Sequence, residues 1–226
     1  MIKLSISAEL AALWPDTALG ALLYEADVTP SSPELLALFD EAVAKLSREY
    51  TLEAVAKNRR VAATRRAYKA LGKPPQEYRC ASEAMLRRIA KGSGLYHINN
   101  VVEINNLISV SSGYAIGSYD TGALRGAVEL RRAEEGAHYG GIGKSSVNIG
   151  HLPVLCDEEG PFGNPSSDSR RAMIQPGRRE VLSVIYAFDG GEDLDGWLAD
   201  YARELERHCG VRGADKRIIR PTGGGN

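Results

Sequence analysis

The stretch His97-Ile-Asn99-Asn100-Val-Val-Glu103-Ile-Asn105-Asn106-Leu-Ile-Ser109, running on through Gly113 into Ala115-Ile-Gly117-Ser-Tyr119, changes its apolar period half-way along. Val101, Ile104, Leu107 and Ile108 recur at helical spacing although several are β-branched, and a short helix is expected there. After Gly113 the period becomes two, the mark of a strand. Helical patterns precede this switch and strand patterns follow it, until one closing helix. That order gives an α+β class with N-terminal helices, a mixed or antiparallel β-rich core and a C-terminal amphipathic helix; it lacks the alternation of a doubly wound sheet.

Outward on the N-terminal side, Leu4–Ile6 reads as a short strand followed by a small-residue segment, and Trp14-Pro15 stops any helix there. Ser31 with Glu34 forms a capping box for a helix carrying Leu35, Leu36, Phe39, Val43 and Leu46. A second helix is expected from about Leu52 to Leu71, ended by Gly72 and Pro74-Pro75, and a third, capped by Ser82, from Glu83 to about Ala90, closed by Gly92. On the C-terminal side the expected strands are Ala115–Tyr119, Ala127–Arg132, His138–Ile142, Leu152–Asp157, Arg171–Gln175 and Glu180–Phe188. The closing helix covers about Leu194 to His208. One domain over 1–220 is expected, with 1–56 as a helical extension and 221–226 as a flexible tail.

The 226 residues carry 28 Lys plus Arg and 29 Asp plus Glu, a net charge of -1 with 43% hydrophobic residues. Such a balance excludes a disordered chain and a wholly basic nucleic-acid coat. The charge is unevenly laid out. Residues 1–56 hold 3 basic and 9 acidic side chains, 57–91 hold 11 and 2, and 92–226 hold 14 and 18. The +9 middle block fits a phosphate-bearing partner; it also fits a solvated face paired with the acidic N-terminal block, and charge alone does not separate the two. No apolar run reaches the roughly 18 residues of a membrane span, and no secretory leader opens the sequence. Cys80, Cys156 and Cys209 are odd in number and widely spaced, which reads as reduced, buried thiols in a cytoplasmic protein.

The search for chemistry returns little that is local. Gly140-Gly141-Ile142-Gly143-Lys144-Ser145 contains GKS, but His138 stands where a phosphate loop needs glycine, and a hairpin turn is the better account. His97, His138, His151 and His208 have no metal-ligand spacing; neither a metal nor a cofactor is expected. His97 reads as a structural or a pocket histidine. Two polar clusters stand out: the amide-rich 97–109 stretch, and Pro161-Phe-Gly163-Asn164-Pro-Ser-Ser-Asp168-Ser-Arg-Arg171. Each reads either as a satisfied core or turn, or as part of a pocket for a small polar ligand.

The ordered series Arg66-x-Tyr68-Lys69-x-Leu71-Gly72-Lys73-Pro74, Tyr78-Arg79-x-x-Ser82-Glu83-x-x-Leu86-x-Arg88, Ile98-Asn99-Asn100-Val101-Val102-Glu103-Ile104-x-Asn106, Tyr119-Asp120 and Gly163-Asn164-Pro165-Ser166-Ser167-Asp168-Ser169-x-Arg171 resembles stand-alone B3/B4 domain proteins over about residues 60–190. These are similar to the editing domain in the beta chain of bacterial phenylalanyl-tRNA synthetase. The resemblance implies a domain that hydrolyses a mischarged aminoacyl-tRNA in trans but does not charge tRNA itself. It implies tRNA and the amino-acid moiety as partners. A pocket is implied at Asn100, Asn105, Asn106, Gly117, Gly163, Asn164 and Asp168, with Arg59, Arg65, Arg66, Arg87 and Arg88 on tRNA phosphates. The synthetase pattern has threonine where this chain has Asn105 and histidine where it has Gly117. Catalytic residues are therefore unassigned, and a non-catalytic binder of tRNA or a small molecule is the alternative. An enzyme acting on another small molecule, or a protein-interaction domain, is the third.

Overall fold

The computed structural model describes residues 2–221. In chain order the elements are β1 (Leu4–Ile6), α1 (Ala8–Leu13), β2 (Ala18–Val28), α2 (Pro33–Glu49), α3 (Leu52–Lys57), α4 (Arg59–Leu71), α5 (Ala81–Ala90), α6 (Asn100–Ser112), β3 (Ala115–Asp120), β4 (Val128–Arg132), β5 (His138–Gly141), β6 (Lys144–Asn148), β7 (Pro153–Asp157), β8 (Gly160–Gly163), β9 (Gly177–Ala187), α7 (Leu194–His208) and β10 (Asp215–Ile219). This is the α+β order expected. The tail expected to be flexible lies, from residue 222 onward, outside the described residues.

There are two four-stranded sheets, β1-β4-β7-β8 and β10-β2-β9-β3, and a separate two-stranded β5-β6 hairpin inserted between β4 and β7 of the first. Period-two alternation sorts the second sheet's side chains onto two faces. Leu19, Ala21, Leu182, Val184, Tyr186, Ala115 and Tyr119 turn toward the first sheet and share a core with Val128, Leu130, Val154, Leu155, Phe162 and helix α4. Leu22, Tyr24, Val181, Ile185 and Ile116 turn the other way, against Ile104 and Ile108 of α6 and Leu198, Tyr201 and Leu205 of α7. A third cluster, Val55, Val61, Leu86, Ile89 and Val110, knits α3, α4, α5 and α6.

The departures from the sequence reading have local causes. The small-residue segment before Val28 is β2, an eleven-residue strand paired with both β9 and β10. Its alanines and Gly20 hide the alternation, and Gly20 has no side chain because α7 lies on it: a Cβ there would sit 3.2 Å from Leu194 Cδ2. Residues 4–28, expected within a helical extension, thus supply strands to both sheets. The helix expected over 52–71 is two. Asn58 ends α3 and caps α4, its Oδ1 accepting from Arg60 N at 3.0 Å and Val61 N at 3.3 Å. Ser32, not Ser31, caps α2, because Ser31 Oγ is turned to Glu103 Oε2. Ser82 lies inside α5, with Cys80 at the N-cap. Arg171–Gln175 forms no strand; a 3-10 turn covers Arg170–Ala172, and Met173 bridges to Tyr119.

Candidate functional site

The seven expected pocket residues fall on opposite faces of one sheet. On the helix-covered face, Asn105 Oδ1 accepts from the hydroxyls of Ser118 (3.0 Å) and Tyr201 (3.3 Å), while its amide donates to Asn106 Oδ1. Ser118 and Tyr201 continue to Ser183, and Ser183 to Tyr24. Burial pushes the Tyr201 phenol up to about 12, so this network stays neutral. Asn100 is spent on structure. Its Oδ1 accepts from Thr29 N and its amide donates to Asp27 O and His208 O, pinning the start of α6 to the ends of β2 and α7. Asn106 alone of the three is half-exposed.

On the opposite face Gly117, Gly163, Asn164 and Asp168 converge on one side chain, Tyr119. A Cβ at either glycine would stand 2.5 Å from Tyr119 Cζ and closer still to its hydroxyl, so both positions need glycine for close approach. The Tyr119 hydroxyl donates to Asp168 Oδ1 at 2.8 Å and lies 2.7 Å from the Tyr186 hydroxyl. Asn164 N also donates to Asp168 Oδ1, while the Asn164 side chain accepts from Ser166 N and Ser167 N and donates to Tyr139 Oη at 2.5 Å. Asp168 Oδ2 accepts no hydrogen bond among the described residues. Burial raises the Asp168 carboxyl from 3.8 to about 7, against the lowering pull of Tyr119 and the Asn164 amide.

The loop bearing Asp168 is fastened to two helices. Tyr68 of α4 shares a 2.8 Å hydrogen bond with Ser166 Oγ, and Ala81 N, at the start of α5, donates to Pro165 O at 2.7 Å. One turn before Tyr68, Arg65 grips Glu83 of α5 with Nε to Oε2 at 2.9 Å and Nη2 to Oε1 at 2.5 Å. Arg79 stands 3.5 Å from the same carboxylate, whose side chain is fully buried. Two arginines on one carboxylate leave a positive excess beside the loop. Arg66 and Lys69 are exposed and form no ion pair among the described residues. Of the other expected phosphate ligands, Arg59 lies 3.4 Å from Asp189, and Arg88 donates to Ser93 O and Gly94 O. Arg87 makes no ion pair among the described residues. The structure thus ties the Asp168 loop to α4 through Tyr68 and to α5 through Ala81; Arg65 reaches Glu83 of α5, and none of Arg59, Arg66, Arg87 and Arg88 makes a hydrogen bond or ion pair to the loop among the described residues.

Sequence reasoning missed another region. Clefts of about 370 and 390 Å³ open at the C-terminal end of α4, the first lined by Lys73, Tyr78, Asn148 and His151, the second by Glu9, Leu71 and Arg132. None of the seven pocket residues lines either. Lys73 is buried, with Nζ 3.2 Å from Asn148 Oδ1 and 3.7 Å from the Tyr78 ring centre, and burial lowers its basicity. His151 takes a left-handed φ of 65° with Nδ1 2.5 Å from Arg132 Nη2. In sequence Gly72-Lys73-Pro74 reads as a helix stop and as part of the family series, with no sign of the cleft. Cys80, Cys156 and Cys209 are buried and unpaired. Among the described residues no His, Cys, Asp and Glu side chains cluster as a metal site. No described helix is long and apolar enough to cross a membrane.

A family model described as the B3/4 domain matches residues 63–192, more than half of the chain. The chain belongs to the B3/4 domain family. The match begins inside α4 and ends before α7, so it contains all seven pocket residues and Arg65, Arg66, Arg87 and Arg88, whereas Arg59 lies outside it. Among solved structures, this B3/4 domain is similar to an N-terminal fragment of the phenylalanyl-tRNA synthetase beta-subunit from Pyrococcus horikoshii, with a TM-score of 0.50 and 10% identity. The alignment covers 96% of this chain and 50% of that one, so the chain spans about half the length of the structure it matches. At that identity the likeness is one of fold. No curated protein matches the chain.

Proposed function

We propose that this B3/4 domain binds the aminoacylated 3′ end of a tRNA and hydrolyses the ester in trans. The observation that carries this reading is a half-buried carboxyl, Asp168, held near neutrality, whose loop is fastened through Tyr68 to the helix that bears Arg65, Arg66 and Lys69. A group ionising at about 7 takes and returns a proton at physiological pH. As a carboxylate, Asp168 Oδ2 takes a proton from water while the water oxygen attacks the ester carbonyl. The bond to the ribose oxygen then breaks, and that oxygen receives the proton. Water is the sole co-reactant. Arg66 and Lys69 meet phosphates, with Arg65 beside them; Arg59, Arg87 and Arg88 extend the contact along the acceptor end. Gly117, Gly163 and Asn164 border the amino-acid side around Tyr119 and Asp168, whereas Asn106 belongs to the helix-covered face. The working unit is residues 1–220 as one domain, because β1 and β2 are strands of the two sheets that carry the site.

The test is ester loss from a panel of mischarged tRNAs, with Asp168→Asn and Asn105→Ala as controls. Asp168→Asn should slow hydrolysis by about 10²-fold or more, while Asn105→Ala reports on the helix-side network. Ester loss at the buffer rate for every tRNA overturns hydrolysis. The second reading is a binder without turnover. It is favoured by Asn105 and Gly117 standing where the synthetase pattern has threonine and histidine, and by the two hydroxyls already occupying Asn105 Oδ1. Thermal stabilisation by tRNA or an amino acid, with no ester loss, selects it.

A further inference from the structure

The two most exposed large apolar side chains of the described residues sit two apart in one loop, Tyr96 at 70% and Ile98 at 63%. Between them His97, its side chain 42% exposed, is tied back to the helices. Its ring packs edge-on to Phe39 at 5.5 Å, and its nitrogens lie 3.4 Å from Asp40 and 3.5 Å from Glu103. Ile98 N donates to Glu103 Oε1 at 2.6 Å, fixing the next residue. The loop is thus anchored through its polar residues while its apolar ones are held in water, the reverse of what burial alone would select. Arg88 stacks its guanidinium 4.7 Å from the Tyr96 ring centre and is itself held by Ser93 O and Gly94 O. Arg87 and Lys91 flank the loop with no ion pair among the described residues. A fixed aromatic face backed by a cation, with further cations beside it, matches an unpaired nucleobase and its phosphates. It does not match a purely apolar protein surface, which would have to desolvate those charges.

We propose that Tyr96, Arg88 and Ile98 form a stacking platform for an unpaired RNA base, with Arg87 and Lys91 on the adjoining phosphates. This rests on the tRNA reading above and names where the single-stranded end lies. The loop follows the C-terminus of α5, whose N-terminus is bonded to the Asp168 loop. A ten-residue helix spans about 15 Å, a distance that a few extended nucleotides cover.

The experiment is fluorescence anisotropy with a labelled single-stranded RNA octamer and a blunt duplex of the same sequence, run beside the deacylation assay. Wild type should prefer the single strand. Tyr96→Ala should weaken that binding about 5- to 100-fold, Tyr96→Phe should stay within about twofold, and the salt dependence should persist in both. Arg87→Ala should lower the slope of log affinity against log salt by about 0.7. Because Tyr96 is exposed, its variants should melt with wild type, which separates lost binding from lost fold. Wild-type affinity in Tyr96→Ala, no single-strand preference, or Tyr96→Ala abolishing self-association while RNA binding stays intact, each overturns the platform. Buffer-level ester loss with Tyr96-dependent RNA binding would overturn hydrolysis and leave the platform standing.

Discussion

Tyr119 is the residue around which the sandwich-side cluster is built, since it bonds Asp168 and Tyr186 and lies over two glycines. Gly163→Ala should cost about 1–3 kcal/mol, read as a lower denaturation midpoint with an unchanged slope. Tyr119→Phe should not rescue it, because Cζ is already 2.5 Å from the new methyl position. Asp168 makes a separate prediction through proton linkage. Its carboxyl goes from 3.8 when exposed to about 7 in the fold, so between those values the folded chain holds a proton that the unfolded chain releases. Its contribution to stability therefore falls as pH rises through that window. Stability measured from about pH 4 to about pH 7 should decline less in Asp168→Asn than in wild type; parallel profiles would contradict the shifted carboxyl. The residue types at 163–168 were visible in sequence, but the ring that makes glycine necessary at 117 and 163 comes from Tyr119, which the sequence shows only as the end of a strand and a member of the family series.

At the scale of elements, α4 and α5 are locked by a buried carboxylate. Glu83 is fully buried and relies on Arg65, with Arg79 as a longer contact at 3.5 Å. Arg65→Ala should destabilise the fold by about 2–4 kcal/mol because it strands that charge. The pair Arg65→Ala with Glu83→Ala should be less damaged than Arg65→Ala alone, measured as a double-mutant cycle. The arginine expected to serve a phosphate thus has a structural task first. Arg60, on the opposite side of α4, reaches Asp193 and Ser112 O and stacks on Tyr114 at 4.4 Å and Trp197 at 5.6 Å. Nothing in the helical spacing separates Arg60 from its neighbours. Their different tasks follow from which element each turn of α4 faces.

Across the whole molecule the charge layout matters more than the total. A chain of net charge -1 carries its excess of cations on 57–91, and part of that excess is consumed internally by Glu83, Asp189 and Asp193. What remains for a partner, not buried and outside any ion pair among the described residues, is Arg66, Lys69, Arg87, Arg88 and Lys91, with Arg59 holding one contact of 3.4 Å to Asp189. Arg66→Ala should lower the salt slope of tRNA binding by about 0.7 without changing the melting temperature; an unchanged slope would remove α4 from the contact. The helices with strong apolar periods, the strands β3, β4, β5, β7 and β9 and the closing helix were legible because each signal lies within one turn or one pleat of itself, whereas β6, β8 and β10 were not expected and Arg171–Gln175 is no strand. Strand β2 was not legible, since the need for Gly20 shows only against α7, and the break at Asn58 was masked by an unbroken helical pattern. By itself the sequence determined the α+β order, the family series and the cationic block, all of which are properties of neighbouring residues along the chain. Only the tertiary structure decided that the expected pocket residues divide between two faces of one sheet, that Asp168 is desolvated and that Arg65 is spent on Glu83, because burial and charge pairing depend on groups brought together from distant parts of the chain.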